Sequence, residues 1–388
     1  MPHPADLLTA ERLITLAEEL VRIPSVTGNE QPIAEYLHGH LSRCGLTTRR
    51  LAVEEAGESI VGWLDGDEPG PTLMLNFHLD TFEAFAGWQT DPFTPARVGD
   101  RLYGLGSHDM KGGAACVLAT VEAISQAKQP FKGRLLVSAT SDEENWSRGA
   151  HALIRTGLLE GCIGALVPEP AAAGTLTIGQ RGRHVFRVRF AGRTIHAAFG
   201  RGINAVADAA RVAARLSDPA AVDLGWSEPF GLAGTLCVIG LHGGGSMILV
   251  PEQAELLIDR HILPDETVDH AAAQIRAVIE ACQLESQWEL TWDHRPTPAP
   301  TSFVVPADSR LVTCVQQHLA REQNQPIKLV LGRSVADTNH FAVHGGVPTL
   351  ICGPQGGNTC EANEYLDLPS LLPTARAITA SVVDLLSA

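Results

Sequence analysis

The stretch Thr72-Leu-Met-Leu-Asn-Phe-His-Leu-Asp80 decides the reading of this chain: a short apolar run, Thr72 to Phe77, that ends in His78 and Asp80. The same figure recurs twice. Arg134 to Thr140 is an apolar strand ending in Asp142-Glu143-Glu144, and Ile163 to Val167 is another ending in Pro168-Glu169-Pro170. Gly112 to Ala127, rich in Ala and Val, lies between the first two and reads as a helix. Strands alternating with helices predict an α/β core. In open sheets of that class the carboxyl ends of the strands line the binding crevice, so polar side chains distant in sequence can converge there.

Outward from this core the texture changes at about Arg181. An alternating strand (184–190), an amphipathic helix (204–216), two strands (235–241 and 255–262), a helix (268–282) and a strand (287–292) follow in β-α-β-β-α-β order, the ferredoxin-like signature. The α/β texture returns after Pro296, Pro298 and Pro300. The chain is therefore read as a catalytic domain, residues 1–180 and 295–388, with a central mixed sheet flanked by helices. Residues 181–294 form an inserted α+β domain. A length of 388 residues suits two such domains.

Composition narrows the function classes. Hydrophobic residues make up 45% and charged residues 19%, which excludes global disorder. The formal charge of −15 repels phosphate backbones and anionic lipid, so neither nucleic acid nor a membrane is an expected partner. Apolar stretches end well short of the roughly 20 residues needed to span a bilayer. The opening MPHPADLLTAERLITLAEEL lacks the n-region, apolar block and cleavage site of a signal peptide. The eight cysteines lie far apart with no C-x-x-C pair. A cytoplasmic protein with reduced thiols is the expectation.

Hard and borderline ligand types cluster just after the strands: His78, Asp80, Asp109, Glu143, Glu144 and Glu169. Any one of these carboxylates alone is ordinarily a loop or cap residue. Imidazole with several carboxylates suits zinc or a similar divalent ion, and a carboxylate can bridge two ions. Asp80, two residues after His78, is expected to accept the second ring N–H of that histidine. In an extended segment Glu143 and Glu144 face opposite ways, so that one binds metal while the other faces substrate and water.

These residues carry a resemblance. His78-Leu-Asp80-Thr, Gly87-Trp-Gln-Thr-Asp-Pro-Phe93, Gly104-Leu-Gly-Ser-His-Asp109-Met-Lys-Gly-Gly113, Asp142-Glu-Glu144 and Glu169-Pro170 follow a family pattern in order and spacing. So do Gly192-Arg-Thr-Ile-His196, Gly202-Ile-Asn204, Asp337-Thr-Asn-His-Phe341, Gly346-Val-Pro348, Gly353-Pro354 and Asn363-Glu364-Tyr365. The chain resembles the acetylornithine deacetylase, succinyl-diaminopimelate desuccinylase, aminoacylase and glutamate carboxypeptidase family of co-catalytic metallohydrolases. The resemblance implies two divalent ions, zinc first, with cobalt or manganese as alternatives. Asp109 would bridge them, His78 and Glu169 would complete one site, and Glu144 would lie in the other. Glu143 would be the general base, taking a proton from the attacking water and returning it to the leaving amine. The inserted domain would act as lid and pair through its sheet to make a homodimer, with His196 reaching the partner's site to stabilise the oxyanion.

Three departures stand out. The family's last metal ligand is a His four residues before the Glu-Tyr pair, and here that position is Cys360. Thiolate is a good zinc ligand, which makes Cys360 a candidate; the rival is an inert thiol with His340 or Glu361 as substitute ligand, or one metal sufficing. The usual lid Arg three residues before a Pro is His261, with Arg260 adjacent, and the usual Asn before Pro251 is Ile248. Asn204, Arg260 and Arg295 are the candidates for a substrate carboxylate. The expected activity is hydrolysis of an N-acyl-amino acid, nearest to acetylornithine deacetylase. A dipeptidase or carboxypeptidase, and a catalytically silent metal- or ligand-binding relative, are the alternatives.

Overall fold

A computed structural model describes residues 2–292 and 294–387. The chain divides into two compact units, one of residues 1–179, 304–330 and 336–388 and one of residues 180–303 and 331–335. No helix among the described residues is long and apolar enough to cross a membrane.

The first unit is built on a mixed sheet. Its strands run in the order Thr47–Leu51, Ser59–Asp65, Lys132–Thr140, Glu68–His78, Cys162–Val167, Thr349–Ile351 and Thr175–Gln180. The pairing of Glu68–His78 is parallel on both sides, with His78 opposite Thr140 and Leu75 opposite Leu166. Parallel strands end together, so the residues that follow His78, Thr140 and Val167 leave the sheet along one edge. That register is what gathers the three polar strand ends seen in the sequence. Near-continuous apolar runs in these strands, with Leu73, Met74, Leu75, Leu135, Leu136, Val137, Ala165 and Leu166 buried, reflect cover on both faces of the sheet.

The Gly112–Ala127 helix is almost wholly buried. Its small residues permit that, because backbone can approach backbone where no side chain intervenes. A Cβ on Gly113 would fall on the Pro168 carbonyl, and one on Gly353 would fall on the Glu169 and Pro168 carbonyls. The Pro168–Glu169 turn is thus gripped between two glycines. A small antiparallel sheet, with Tyr103 opposite Tyr365 and Leu102 opposite Leu366, ties the segment after Gly356 to the turn that carries Asp109. Sequence periodicity gave no sign of this pairing, because its strands are only two or three residues long.

In the second unit the strands Thr235–Gly243, Gln253–Ile262, Gly182–Ala191 and Gln287–Trp292 lie side by side in that order, all antiparallel. Helices Ala205–Leu216 and Val268–Ala281 cover one face, burying Phe186, Val188, Phe190, Leu256 and Ile258. Alternate residues Cys237, Ile239 and Leu241 of the edge strand are exposed.

Replacing Gly113 with Ala should force the Pro168–Glu169 turn and the helix apart, at a cost of about 1–3 kcal/mol typical of overpacking. Denaturant unfolding of Gly113→Ala should show that loss.

Candidate metal centre

The groups at the sheet edge are placed by backbone and side-chain contacts that can be named. His78 ends its strand with its ring buried; Nδ1 lies 2.9 Å from the Asp80 carbonyl oxygen and Nε2 lies 3.2 Å from Asp109 Oδ1. This corrects the expected role of Asp80. Its carboxylate is 3.7 Å from Nδ1, and it instead accepts the backbone N–H groups of Glu143 and Glu144, each at 3.1 Å, and the Thr27 hydroxyl at 2.9 Å. The main-chain carbonyl of Asp80 therefore takes the Nδ1 proton, and the imidazole, raised in pKa by the acids around it, also donates from Nε2 to Asp109 Oδ1; Nε2 is the nitrogen that a metal ion would take in place of that proton. The Asp80 side chain shapes the turn that presents the glutamates.

That turn is a second correction. Residues 143–146 form a hydrogen-bonded turn and not an extended segment, with Asp142 in the left-handed region at φ 63°. The Asp142 carbonyl accepts the N–H groups of Trp146 and Ser147, and its carboxylate meets the Arg148 guanidinium. Glu30, fully buried, closes the turn from behind by accepting the Asp142 and Gly57 N–H groups.

Asp109 lies in the kinked turn before the Gly112–Ala127 helix, next to a cis peptide to Met110. Its two oxygens face different donors: Oδ1 towards His78, and Oδ2 at 3.6 Å from Cys360 Sγ. Glu364 holds the turn in place. The buried Glu364 carboxylate accepts N–H groups from Gly106 (2.9 Å), His108 (2.8 Å) and Asp109 (2.8 Å). Sequence reading quoted Glu364 without giving it this work, since three amides converge on it only through a turn some 255 residues away.

Three donor groups result: His78, Asp109 and Glu169; Asp109, Glu144 and Cys360; and His78, Glu143 and Glu144, with the ligand atoms of each within 4.8 Å of one another. Asp109 is common to the first two. Cys360, and not His340 or Glu361, joins the second: the His340 ring bonds His151 at 2.9 Å, and the Glu361 side chain is exposed.

The electrostatics fit a cation-binding centre. Burial pushes the Glu169 carboxyl up to about 8, with the Asp109 charge adding to it and His78 opposing. Burial likewise holds Glu143 and Glu144 well above the ordinary carboxylate range, reinforced by their acidic neighbours. Asp337, buried nearby and not singled out in the sequence as a ligand, is raised to about 6 by burial. For Asp109 burial is outweighed by the hydrogen bond and charge of His78, so its carboxyl stays below the ordinary value. The imidazole, carboxylate and thiol donors form a set suited to zinc and related divalent ions, whose charge would balance this crowding.

The residues proposed from sequence for substrate contact belong to the second unit. Arg260 is corrected: it is fully buried, its two Nη groups meet Glu266, the Thr235 and His261 carbonyls and Gln274, and its Nε is enclosed away from solvent without a partner. A cation sealed in that way has no face left for a substrate carboxylate. Asn204 is exposed, but its Oδ1 caps the Ala205–Leu216 helix by accepting the Ala207 N–H at 3.0 Å. Arg295 is half-buried, and its charge, after burial itself, helps hold the His184 imidazole down at about 4.

A profile of Peptidase family M20/M25/M40 matches residues 74–384. The chain belongs to that family. It is a metal-dependent amidohydrolase or peptidase. A relative from Bacillus subtilis, N-formyl-4-amino-5-aminomethyl-2-methylpyrimidine deformylase, is 25% identical over 408 aligned positions, covering 96% of this chain and 94% of its own. A succinyl-diaminopimelate desuccinylase from Methylorubrum extorquens is 29% identical, covering 76% and 79%. The fold matches that of a tripeptidase from Staphylococcus aureus with a TM-score of 0.82 at 22% identity, covering 98% of this chain and 99% of the other. The α/β fold with a mixed central sheet agrees with that structure.

Stripped of metal, the centre should make stability fall as pH rises from 5 to 7. Carboxyls whose folded-state pKa is raised, Glu169 to about 8 and Glu364 to about 7, keep protons that the unfolded chain gives up near 4.5. His78, raised in the fold despite burial, loses its contribution in the same direction. The native state therefore binds more protons, and the slope is negative. Differential scanning fluorimetry with chelator should show a falling Tm across that window, and saturating zinc should flatten it.

Proposed function

We propose that this chain hydrolyses the amide bond of an N-acyl-amino acid, with two divalent ions at the sheet edge and Glu143 as general base. The observation that carries the reading is the sharing of Asp109 between two donor groups, with Glu143 in a third group that overlaps both through His78 and Glu144. His78, Asp109 and Glu169 would hold one ion, and Asp109, Glu144 and Cys360 the other. Zinc is the first choice, with cobalt or manganese as alternatives. When bound, such a pair polarises a scissile carbonyl and lowers the pKa of water towards 7.

The residues of the chain do the rest. Glu143, half-buried and with its pKa raised by burial and by the charge of Glu169, is basic enough to take a proton from the attacking water. The same carboxyl then gives that proton to the leaving nitrogen. Asp80 positions Glu143 and Glu144 by holding both of their backbone N–H groups. In the second unit the exposed His196 accepts the Ala198 N–H at Nδ1, 3.2 Å away, which leaves the proton on Nε2. A neutral imidazole so arranged is a donor suited to an oxyanion, and the proposal keeps it as the group lent to the partner subunit of a homodimer. The exposed edge strand Thr235–Gly243 is the surface that would pair.

Removal of an acyl group from nitrogen is favoured because the deformylase and the desuccinylase are both named for that reaction. An acetylornithine-like substrate is the nearest guess within it. A panel of N-acetyl, N-formyl and N-succinyl amino acids against dipeptides tests the class. Turnover of dipeptides alone would replace the reading by a dipeptidase, and no turnover with metal bound would make the chain a silent binder. A cytoplasmic site of action accords with eight cysteines that are all unpaired.

Glu143→Gln should retain its metal, because the residue is proposed as base and not as ligand, while kcat falls by roughly a hundredfold or more. Metal content and turnover of the same preparation check it.

Cys360 has its thiol raised well above the ordinary value by burial and by the Asp109 and Glu144 charges, so it needs an adjacent cation to exist as thiolate. Cys360→Ser should lose one of two ions. Cys360→His should keep both and remain active, with its preference shifted away from the softest metals. Elemental analysis and metal-replacement kinetics read this out.

A further inference from the structure

Away from the sheet edge, Cys314, His318 and Asp384 bring a thiol, an imidazole and a carboxylate within 4.8 Å of one another. Cys314 and His318 are four residues apart on the Arg310–Gln323 helix and so share a face. Asp384 comes from the Leu371–Leu386 helix. The two helices are fixed by their own cores, with Leu311, Val312, Val315 and Leu319 buried on one and Ile378, Val382 and Leu385 on the other. The donors therefore stand on rigid elements at the seam between core and solvent. His318 Nε2 lies 2.7 Å from Asp384 Oδ2, the Arg310 guanidinium anchors the Asp384 carbonyl at 3.0 Å, and the His318 side chain is only 12% exposed.

A Cys–His–Asp group also has the composition of a nucleophilic triad. The surroundings argue against that role: burial and the Asp384 charge push the Cys314 thiol up to about 11, the opposite of an activated thiolate. What lowers a thiol of this kind is a metal ion in contact with it.

We propose that Cys314, His318 and Asp384 form a zinc site separate from the catalytic centre, which clasps the Leu371–Leu386 helix to the Arg310–Gln323 helix. Cys314 supplies Sγ after giving its proton to solvent. His318 supplies Nε2 as its ring hydrogen moves to Nδ1, and Asp384 supplies one oxygen. Water takes the fourth tetrahedral position. No electron is transferred, and the net release is one proton per ion bound.

The test counts zinc in the full-length protein after saturation and desalting. Cys314→Ser and His318→Asn should each hold one ion fewer per chain than the parent, with turnover within about twofold of it. This difference is independent of how many ions the catalytic centre holds, so the total tests the proposed dinuclear reading and the difference tests this site. In a Cys360→Ser background loaded with cobalt, thiolate-to-cobalt charge-transfer absorption should persist in the near ultraviolet and vanish when Cys314→Ser is added. An ion count that both variants leave unchanged overturns the site, as does absence of that absorption from the Cys360→Ser protein.

Discussion

Buried like charge is the constraint on which this molecule is organised. Asp109, Glu143, Glu144 and Glu169 converge at one edge of the sheet, and the neighbouring charges add to the cost of ionising the three glutamates. Such a gathering is expensive in a low-dielectric interior unless positive charge accompanies it. Asp109 alone is held below its ordinary pKa, because His78 donates to it and shares its charge. The remaining acids stand where the charge of a divalent cation would balance them, which is the physical content of calling the chain metal-dependent.

Holding those acids in place takes a surrounding frame that spends its hydrogen bonds on backbone. Glu364 fixes the Asp109 turn through three amides, Asp80 fixes the Glu143–Glu144 turn through two, and Glu30 closes the same turn through the Asp142 amide. These carboxylates satisfy donors that loops would otherwise leave unpaired, and in doing so they position their neighbours. Close packing contributes as well: Gly113 and Gly353 let the Glu169 turn approach the helix and strand on either side of it. The donor geometry is thus a property of the backbone more than of side-chain rotamers.

Cys360 is placed beside the acids by the backbone around it. It occupies the left-handed region at φ 58°, in the segment tied down by the small antiparallel sheet, and its sulfur points at the oxygen of Asp109 that His78 does not use. Were the thiol to serve as a donor there, its softness would alter which ion is preferred and not where the ion lies.

By itself the sequence determined the class of the sheet and which polar side chains meet at its edge. Apolar runs ending in His78, Glu143-Glu144 and Glu169 are legible because a parallel strand buried on both faces is almost uniformly apolar up to its polar end. The order of elements in the second unit was legible for a similar reason, since its half-covered sheet alternates. Only the tertiary structure decided what depends on contacts across long separations. It gave the second ring proton of His78 to a main-chain carbonyl and the Asp80 carboxylate to two amides. It turned the Glu143–Glu144 segment, and it sealed Arg260 against Glu266 where sequence had offered it to substrate. A residue type states which bonds a side chain is able to make. Which of them it does make is settled by the partners that folding brings within about 3 Å.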